Sequence, residues 1–319
     1  MVLVSGVTTI AQDSHVTILL ALFNGAPNLK EQLDSFVAQT HDDWSLVVSD
    51  DGSSDAGPDV VRRFAHQICG HDVAMVEGPQ KGFARNFLHL LKQVGPDSDC
   101  VALSDQDDVW LPDKLAHGLA ALAAVAPGQP ALYCSRTMIC DSELSPQRPS
   151  PLFRHPPGFR NALVQNIAGG NTMILNRAAV EILQAAAAEV GDIVAHDWWI
   201  YQMVSGVGGQ VIYDSEPKLL YRQHMGNQIG ANDTIRASLR RILMMLGGRF
   251  STWNTTNIHA LMASAHRLTG ENRRVLAEFE EARQRPLPHR IAQLRRLRVY
   301  RQTRRGNAGL WLATLINRI

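Results

Sequence analysis

The chain has 319 residues, 45% of them apolar and 19% charged, with a formal net charge of +1 at pH 7. That balance reads as globular and excludes a polar, disordered chain; the length allows one large domain or two smaller ones. The near-neutral sum hides a split. Residues 1–230 carry 14 Lys+Arg against 25 Asp+Glu, whereas residues 231–319 carry 17 Arg, no Lys and 5 Asp+Glu.

In chain order, HVTILLALFNG (15–25) is a near-continuous apolar run ending in Asn-Gly, as expected of a buried parallel strand. NLKEQLDSFVAQ (28–39) places Leu29, Leu33, Phe36 and Val37 on one helical face. A strand at Trp44–Ser49, a helix in DVVRRFAHQI, a strand in VAMVEGP and a helix in FARNFLHLLKQV follow. CVALS gives a fourth strand, DKLAHGLAALAAV a fourth helix with Pro112 near its first turn, and ALYCSRTMICD a fifth strand. Repeated strand–helix units imply a mostly parallel sheet with helices on both faces. SPQRPSPLFRHPPG (145–158), with five prolines, breaks the pattern and reads as a loop or lid. An alanine-rich helix at 177–189 and a strand at 211–224 come next; beyond about residue 232 the chain looks helical and arginine-rich. There Ile291, Leu294, Leu297 and Tyr300 form a narrow apolar stripe flanked by arginines.

Of the four cysteines, Cys134 and Cys140 lie on one expected strand, roughly 20 Å apart if extended, too far for a disulfide. Reduced cysteines fit a cytoplasmic protein. No basic segment followed by an apolar one opens the sequence, and no run of about 18 apolar residues occurs, so neither a signal peptide nor a spanning helix is expected.

Ligands in open α/β sheets bind at the carboxyl ends of the strands. Two acidic clusters fall there: Asp50–Asp51, and DQDD with Asp105, Asp107 and Asp108. A turn accounts for the first and a capped helix start for the second, if each is taken alone. Three acids exceed what a cap needs. Crowded carboxylates repel unless a positive group sits among them, and hard oxygen ligands suit Mg²⁺ or Mn²⁺. Such a metal bridges to a diphosphate, which points to a nucleotide-activated substrate.

SDDGSSD, KGFARNF, SDQDDVWLPDKL, GGNTMIL, HDWW and YRQHMGNQIG, in that order, resemble the GT-A-fold glycosyltransferases of family 2. More narrowly they resemble the rhamnosyltransferase-like branch that builds bacterial surface polysaccharide and lipopolysaccharide. The resemblance covers residues 14–230. It implies an α/β fold, a GT-A (Rossmann-like) mostly parallel sheet, over residues 1–231. The nucleotide-binding half would be 14–140 and the acceptor and catalytic half 141–231, with a basic helical region at 232–319.

The resemblance also implies roles. Asp50 or Asp51 would meet the nucleotide base, Asp105 the ribose or the metal, and Asp107 the metal, with Asp108 beside it. Arg85 and Asn86, with Lys81, would serve the nucleotide side. Gly169 and Gly170 would let backbone approach the sugar. Arg222 and His224 would face the diphosphate or the metal. Asp197 would be the base that takes the acceptor hydroxyl's proton; a helix cap is the other reading of that residue. The implied reaction is inverting transfer, most closely of L-rhamnose from dTDP-rhamnose, to a saccharide or lipid-linked acceptor. Phe23 and Pro27 depart from the usual residues of the branch, Tyr and a bulky side chain.

The basic tail reads either as a helical subdomain with solvated arginines or as a surface docking on anionic membrane at the inner face of the plasma membrane. No groove-reading motif supports nucleic acid. Two rivals remain: a haloacid-dehalogenase-type phosphatase, suggested by VALSDQDDV, and a non-catalytic sugar-nucleotide-binding relative.

Overall fold

The computed structural model describes residues 14–223 and 248–319. His224, expected at the metal, lies outside them, as do residues 232–247 of the basic region.

The first half alternates as expected: β1 (Val16–Leu22), α1 (Ala26–Val37), β2 (Trp44–Asp50), α2 (Gly57–Gln67), β3 (Val73–Glu77), α3 (Phe83–Leu91) and β4 (Cys100–Ser104). Pro27 and Pro58 sit in the first turns of α1 and α2, where no N–H is required. β1 pairs in parallel with both β2 and β4, so it lies inside the sheet, and its residues are almost all buried. That is why they are apolar without alternation.

β5 (Val109–Trp110), α4 (Lys114–Ala123), β6 (Ala131–Cys140) and β7 (Pro146–Pro149) follow. Then come α5 (Phe159–Ala162), a 3₁₀ turn (Gly170–Thr172), β8 (Ile174–Asn176), α6 (Arg177–Glu189), α7 (His196–Gly206) and β9 (Gln210–Arg222). The described strands form one mixed sheet in the order β3-β2-β1-β4-β8-β6-β9-β5, with β7 paired to β6. β8 is antiparallel to both β4 and β6, so β4 and β6 run the same way and end at one edge.

Two expectations change. The proline-rich stretch is not wholly a loop: β7 pairs antiparallel with β6, Met138 opposite Pro149. Proline is tolerated there because β7 is an edge strand with a side that needs no N–H. The short β5, between the acidic run and the expected helix and not itself foreseen, pairs with the end of β9, Val109 opposite Leu220.

Residues 248–319 form α8 (Arg249–Ala263), α9 (Gly270–Gln284), α10 (Leu287–Leu297) and α11 (Arg304–Leu315). The apolar stripe does not stay on one helix: Arg298 takes φ 53° and ends α10. Leu294 and Leu297 turn inward, 1% and 4% exposed. One apolar cluster runs from Leu19 and Leu103 through Trp199 and Met203 to Leu261, Phe279, Leu310 and Ile319. The C-terminal helices thus share the core on that face of the sheet. A second cluster, around Leu29, Phe36, Trp110 and Leu119, fills the other face.

Candidate active site

The carboxyl ends of β1, β2 and β4 meet at one edge, and their loops are tied together by side chains. Gln106 accepts from Phe23 N–H at 2.8 Å and donates to its carbonyl at 3.0 Å. Asn24, in the left-handed region at φ 49°, accepts from Ser54 N–H at 2.8 Å. Asp50 accepts from Ser53 N–H at 3.0 Å, closing the turn that D-G-S-S suggests. Asp51 is 7% exposed; its two oxygens accept from Gln80 N–H and Gly82 N–H at 2.6 and 2.7 Å.

The nucleotide-side residues of KGFARNF divide. Asn86 is buried and bonded to Ser49, through its amide to the carbonyl at 2.9 Å and its oxygen to the hydroxyl at 2.5 Å. Arg85 pairs with Asp192 at 2.8 Å on the surface, and Lys81 is exposed. Arg222, 5% exposed, reaches three separate segments rather than open space. Its Nε donates to the Asp107 carbonyl at 3.1 Å, and its terminal nitrogens meet the Ser142 carbonyl and the Glu31 carboxylate. In this arrangement it clamps the DQDD loop to α1 and to the β6–β7 turn.

The acidic run is also divided. Asp105 and Asp107 are half-buried. Burial pushes the Asp105 carboxyl up to about 7; Asp107 and Asp197 add to the rise and Lys114 opposes it. Asp108 is fully buried. Its Oδ2 accepts from the Asn171 amide at 2.5 Å, and its Oδ1 has no hydrogen-bond partner. Burial, then Asp105 and Asp107, holds its carboxyl well above the usual range.

Lys114 is the basic side chain packed beside the acids, a neighbour that sequence reasoning did not assign. It is fully buried, its Nζ lies 3.2 Å from the centroid of the Trp110 ring, and it donates to the Asn171 carbonyl at 2.7 Å. Burial holds its pKa well below the ordinary lysine value, outweighing Asp108 and Asp105, which raise it. The signal was Asp-x-x-x-x-x-Lys across one loop, which places the lysine on the first turn of α4, beneath the acids.

Asp197 begins α7 and is 8% exposed. It accepts from Trp198 N–H at 2.7 Å, from the Asn166 side chain and from Gly170 N–H. Burial outweighs these bonds and pushes its carboxyl up to about 6. His196 beside it is stacked on Phe87 at 3.8 Å, and neither ring nitrogen has a partner; burial pushes its pKa down to about 3, so the ring is neutral.

The Gly-Gly-Asn turn joins the two acidic groups. Gly170 bonds Asp197, and Asn171 bonds both Asp108 and Lys114. A Cβ on Gly170 would lie 2.2 Å from His196 Nε2, and one on Gly169 2.7 Å from Asn171 Oδ1. Both glycines therefore serve close packing within the protein. The structure thus brings Asp105, Asp107, Asp108 and Asp197 together, and leaves Arg85 outside this group.

A family model described as Glycosyl transferase family 2 matches residues 17–181, just over half of the chain. The chain belongs to glycosyl transferase family 2. The family match spans Asp50, Asp51, the DQDD run and the Gly-Gly-Asn turn, and stops before Asp197. It removes the phosphatase reading of VALSDQDDV, since the motif here follows β4 within a glycosyltransferase fold. A dTDP-rhamnosyl transferase, RfbG of Shigella flexneri, is 28% identical over 236 residues, covering 70% of this chain and 78% of that one. Among solved structures, S. aureus TarS 1–349 in complex with UDP-GlcNAc aligns with a TM-score of 0.54 at 14% identity, over 95% of this chain and 89% of that one. The mannosyltransferase PcManGT from Pyrobaculum calidifontis, in complex with GDP-Man and Mn²⁺, aligns with a TM-score of 0.50 at 19% identity, over 96% and 87%. These two likenesses establish the GT-A fold.

Among the described residues no cluster of three or more His, Cys, Asp or Glu side chains could hold a metal. The pair Asp105 and Asp107 still fits Mg²⁺ or Mn²⁺, because such ions in phosphate-transfer sites take one or two carboxylates and complete their shell with substrate phosphates and water.

Proposed function

We propose that the protein is an inverting, metal-dependent glycosyltransferase that moves a sugar from a nucleoside diphosphate to a hydroxyl of a saccharide or lipid-linked acceptor in surface-polysaccharide synthesis. The observation that carries the reading is Asp197. It is a buried carboxylate, raised to about 6, placed by a glycine turn within electrostatic reach of Asp105. A base is most effective when its pKa lies near the working pH.

In this reading Asp197 takes the proton of the acceptor hydroxyl. The hydroxyl oxygen forms a bond to the anomeric carbon as the bond from that carbon to the diphosphate oxygen breaks. The nucleoside diphosphate leaves with the electron pair. Asp107, with Asp105, would hold Mg²⁺ or Mn²⁺, and His224 is its third proposed ligand; the ion supplies charge neutralisation to the departing diphosphate. Asp50 and Asp51 edge the nucleotide pocket, and exposed Phe23 at the end of β1 offers a ring for the base to stack on. The likeness to the Shigella dTDP-rhamnosyl transferase supports rhamnose from dTDP-rhamnose as the donor sugar.

The family match and the presence of Asp107 and Asp197 favour an enzyme over a non-catalytic relative. We also infer that the protein docks on anionic membrane. The apolar stripe of α10 is spent on the core, so the contact falls to Leu312, Leu315 and Ile316, 42%, 53% and 38% exposed, with Arg304 and Arg305 at the head of the same helix.

A panel of nucleotide sugars, screened by thermal shift with Mn²⁺, identifies the donor, because a bound ligand stabilises the fold by mass action. With that donor, Asp197→Asn is expected to lower transfer at least a thousandfold while keeping the donor-induced shift. Near-normal turnover in the variant would overturn the assignment.

A further inference from the structure

Beside the Gly169–Thr172 turn lies a cavity of about 140 Å³. Its walls are Ser135 and Thr137 of β6, Ser150 and Phe153 after β7, Thr172 of the turn and Tyr213 of β9. The second half of β6 points to the same sheet edge as the end of β4. The cavity therefore lies toward the sheet edge at which β4 ends.

The lining carries no charged side chain. It is instead rich in hydroxyls, three of which have their protons already used. Ser135 Oγ donates to the Arg136 carbonyl at 3.1 Å, Thr172 Oγ1 to the Gly169 carbonyl at 2.7 Å, and the Tyr213 hydroxyl to the Pro151 carbonyl at 3.1 Å. A hydroxyl has one proton and two lone pairs, so each of these can still accept, the Tyr213 hydroxyl beside the bond it already takes from Phe153 N–H at 3.4 Å. Phe153 and Tyr213, with ring centroids 5.7 Å apart, add an aromatic wall.

A ligand complementary to this lining brings O–H donors at its rim and an apolar C–H face. It carries no charge: a phosphate calls for cations or several converging N–H donors, and no cationic side chain lines the cavity. The volume is below the roughly 300–1,000 Å³ of pockets that enclose larger ligands, so it takes one ring. Gly169 lines the cavity and precedes Gly170, whose N–H holds Asp197. The two Cα atoms of such neighbours are about 3.8 Å apart.

We propose that this cavity is the subsite for the acceptor's terminal monosaccharide, which it holds as a neutral ring through hydrogen bonds accepted from the sugar's hydroxyls. The proposal rests on the glycosyl-transfer reading above. It also accounts for the proline-rich hairpin, since β7 and the residues after it form one wall of the acceptor site.

Saturation-transfer NMR tests it with the methyl glycosides of glucose, galactose, mannose, rhamnose and N-acetylglucosamine as probes. The wild-type protein is expected to bind at least one. Thr137→Leu fills the cavity and is expected to abolish the signal. Tyr213→Phe keeps the ring but removes one acceptor, and is expected to weaken binding about 3–10-fold. If Thr137→Leu does not fold, Tyr213→Phe carries the comparison. Binding by none of the probes, or binding that survives unchanged in every folded variant, overturns the proposal. Hydrolysis of the nucleotide-sugar panel by the wild-type protein is measured alongside. Hydrolysis without glycoside binding overturns the subsite alone; no hydrolysis of any donor overturns the glycosyl-transfer reading and the subsite with it.

Discussion

At the scale of single residues, the site is a set of carboxylates sorted by their surroundings. Asp197 is raised to about 6 by burial, so transfer is expected to fall about tenfold per pH unit below pH 6 and to level off above it. A pH–rate profile under saturating donor checks this. The same shift acts on stability. A folded pKa above the unfolded value near 3.8 means the native state favours the proton. The contribution is present below about pH 4 and lost as pH rises through about 6. Asp197→Asn is therefore expected to stabilise the metal-free protein at pH 8 by about 1–3 kcal/mol, and not at pH 4. Lys114 makes a second case. Its amino group is fully buried against Trp110, Asn171 and the acids of the DQDD run. Lys114→Met leaves the buried Asn171 carbonyl without this donor and is expected to cost about 1–3 kcal/mol in urea unfolding.

At the scale of elements, the 3₁₀ turn of Gly170–Thr172 matters more than its length suggests. Gly170→Ala forces a methyl group onto His196 and moves the N–H that holds Asp197. Transfer is expected to fall at least a hundredfold, while donor binding, read by thermal shift, persists. The parallel half of the sheet and its helices were legible in the sequence because their apolar patterns are long and their turns carry Asn, Gly and Pro. The two-residue β5 and the proline-bearing β7 were not. β5 forms only by pairing with β9, more than a hundred residues on, and β7 only along the edge that β6 offers. At the site, the acids were legible as a crowd. Their division was not: the amide that holds Asp108 comes from Asn171, which is 63 residues away. Arg222 was expected at the phosphate, and its clamp on Glu31 and Ser142 is likewise a contact between distant segments.

At the scale of the whole molecule, an acidic catalytic body and an arginine-rich set of helices share one core. No described helix is long and apolar enough to cross a membrane. Docking through α11 is expected to appear as sedimentation with vesicles containing about one-third anionic lipid, and to weaken as salt is raised. A Leu312→Asp, Leu315→Asp double variant is expected to stay in the supernatant. Equal binding by the variant would mean that the arginines act alone.

The Gly-Gly-Asn turn has a thermodynamic corollary. Within three consecutive residues it touches the proposed acceptor cavity, the proposed base Asp197 and the DQDD acid Asp108. A ligand that stiffens this turn from one side changes the work of ordering it from the other. By linkage, each substrate must then alter the affinity of its counterpart by the same factor. A turn ordered by the first substrate costs less to order for the second, so the two are expected to bind cooperatively.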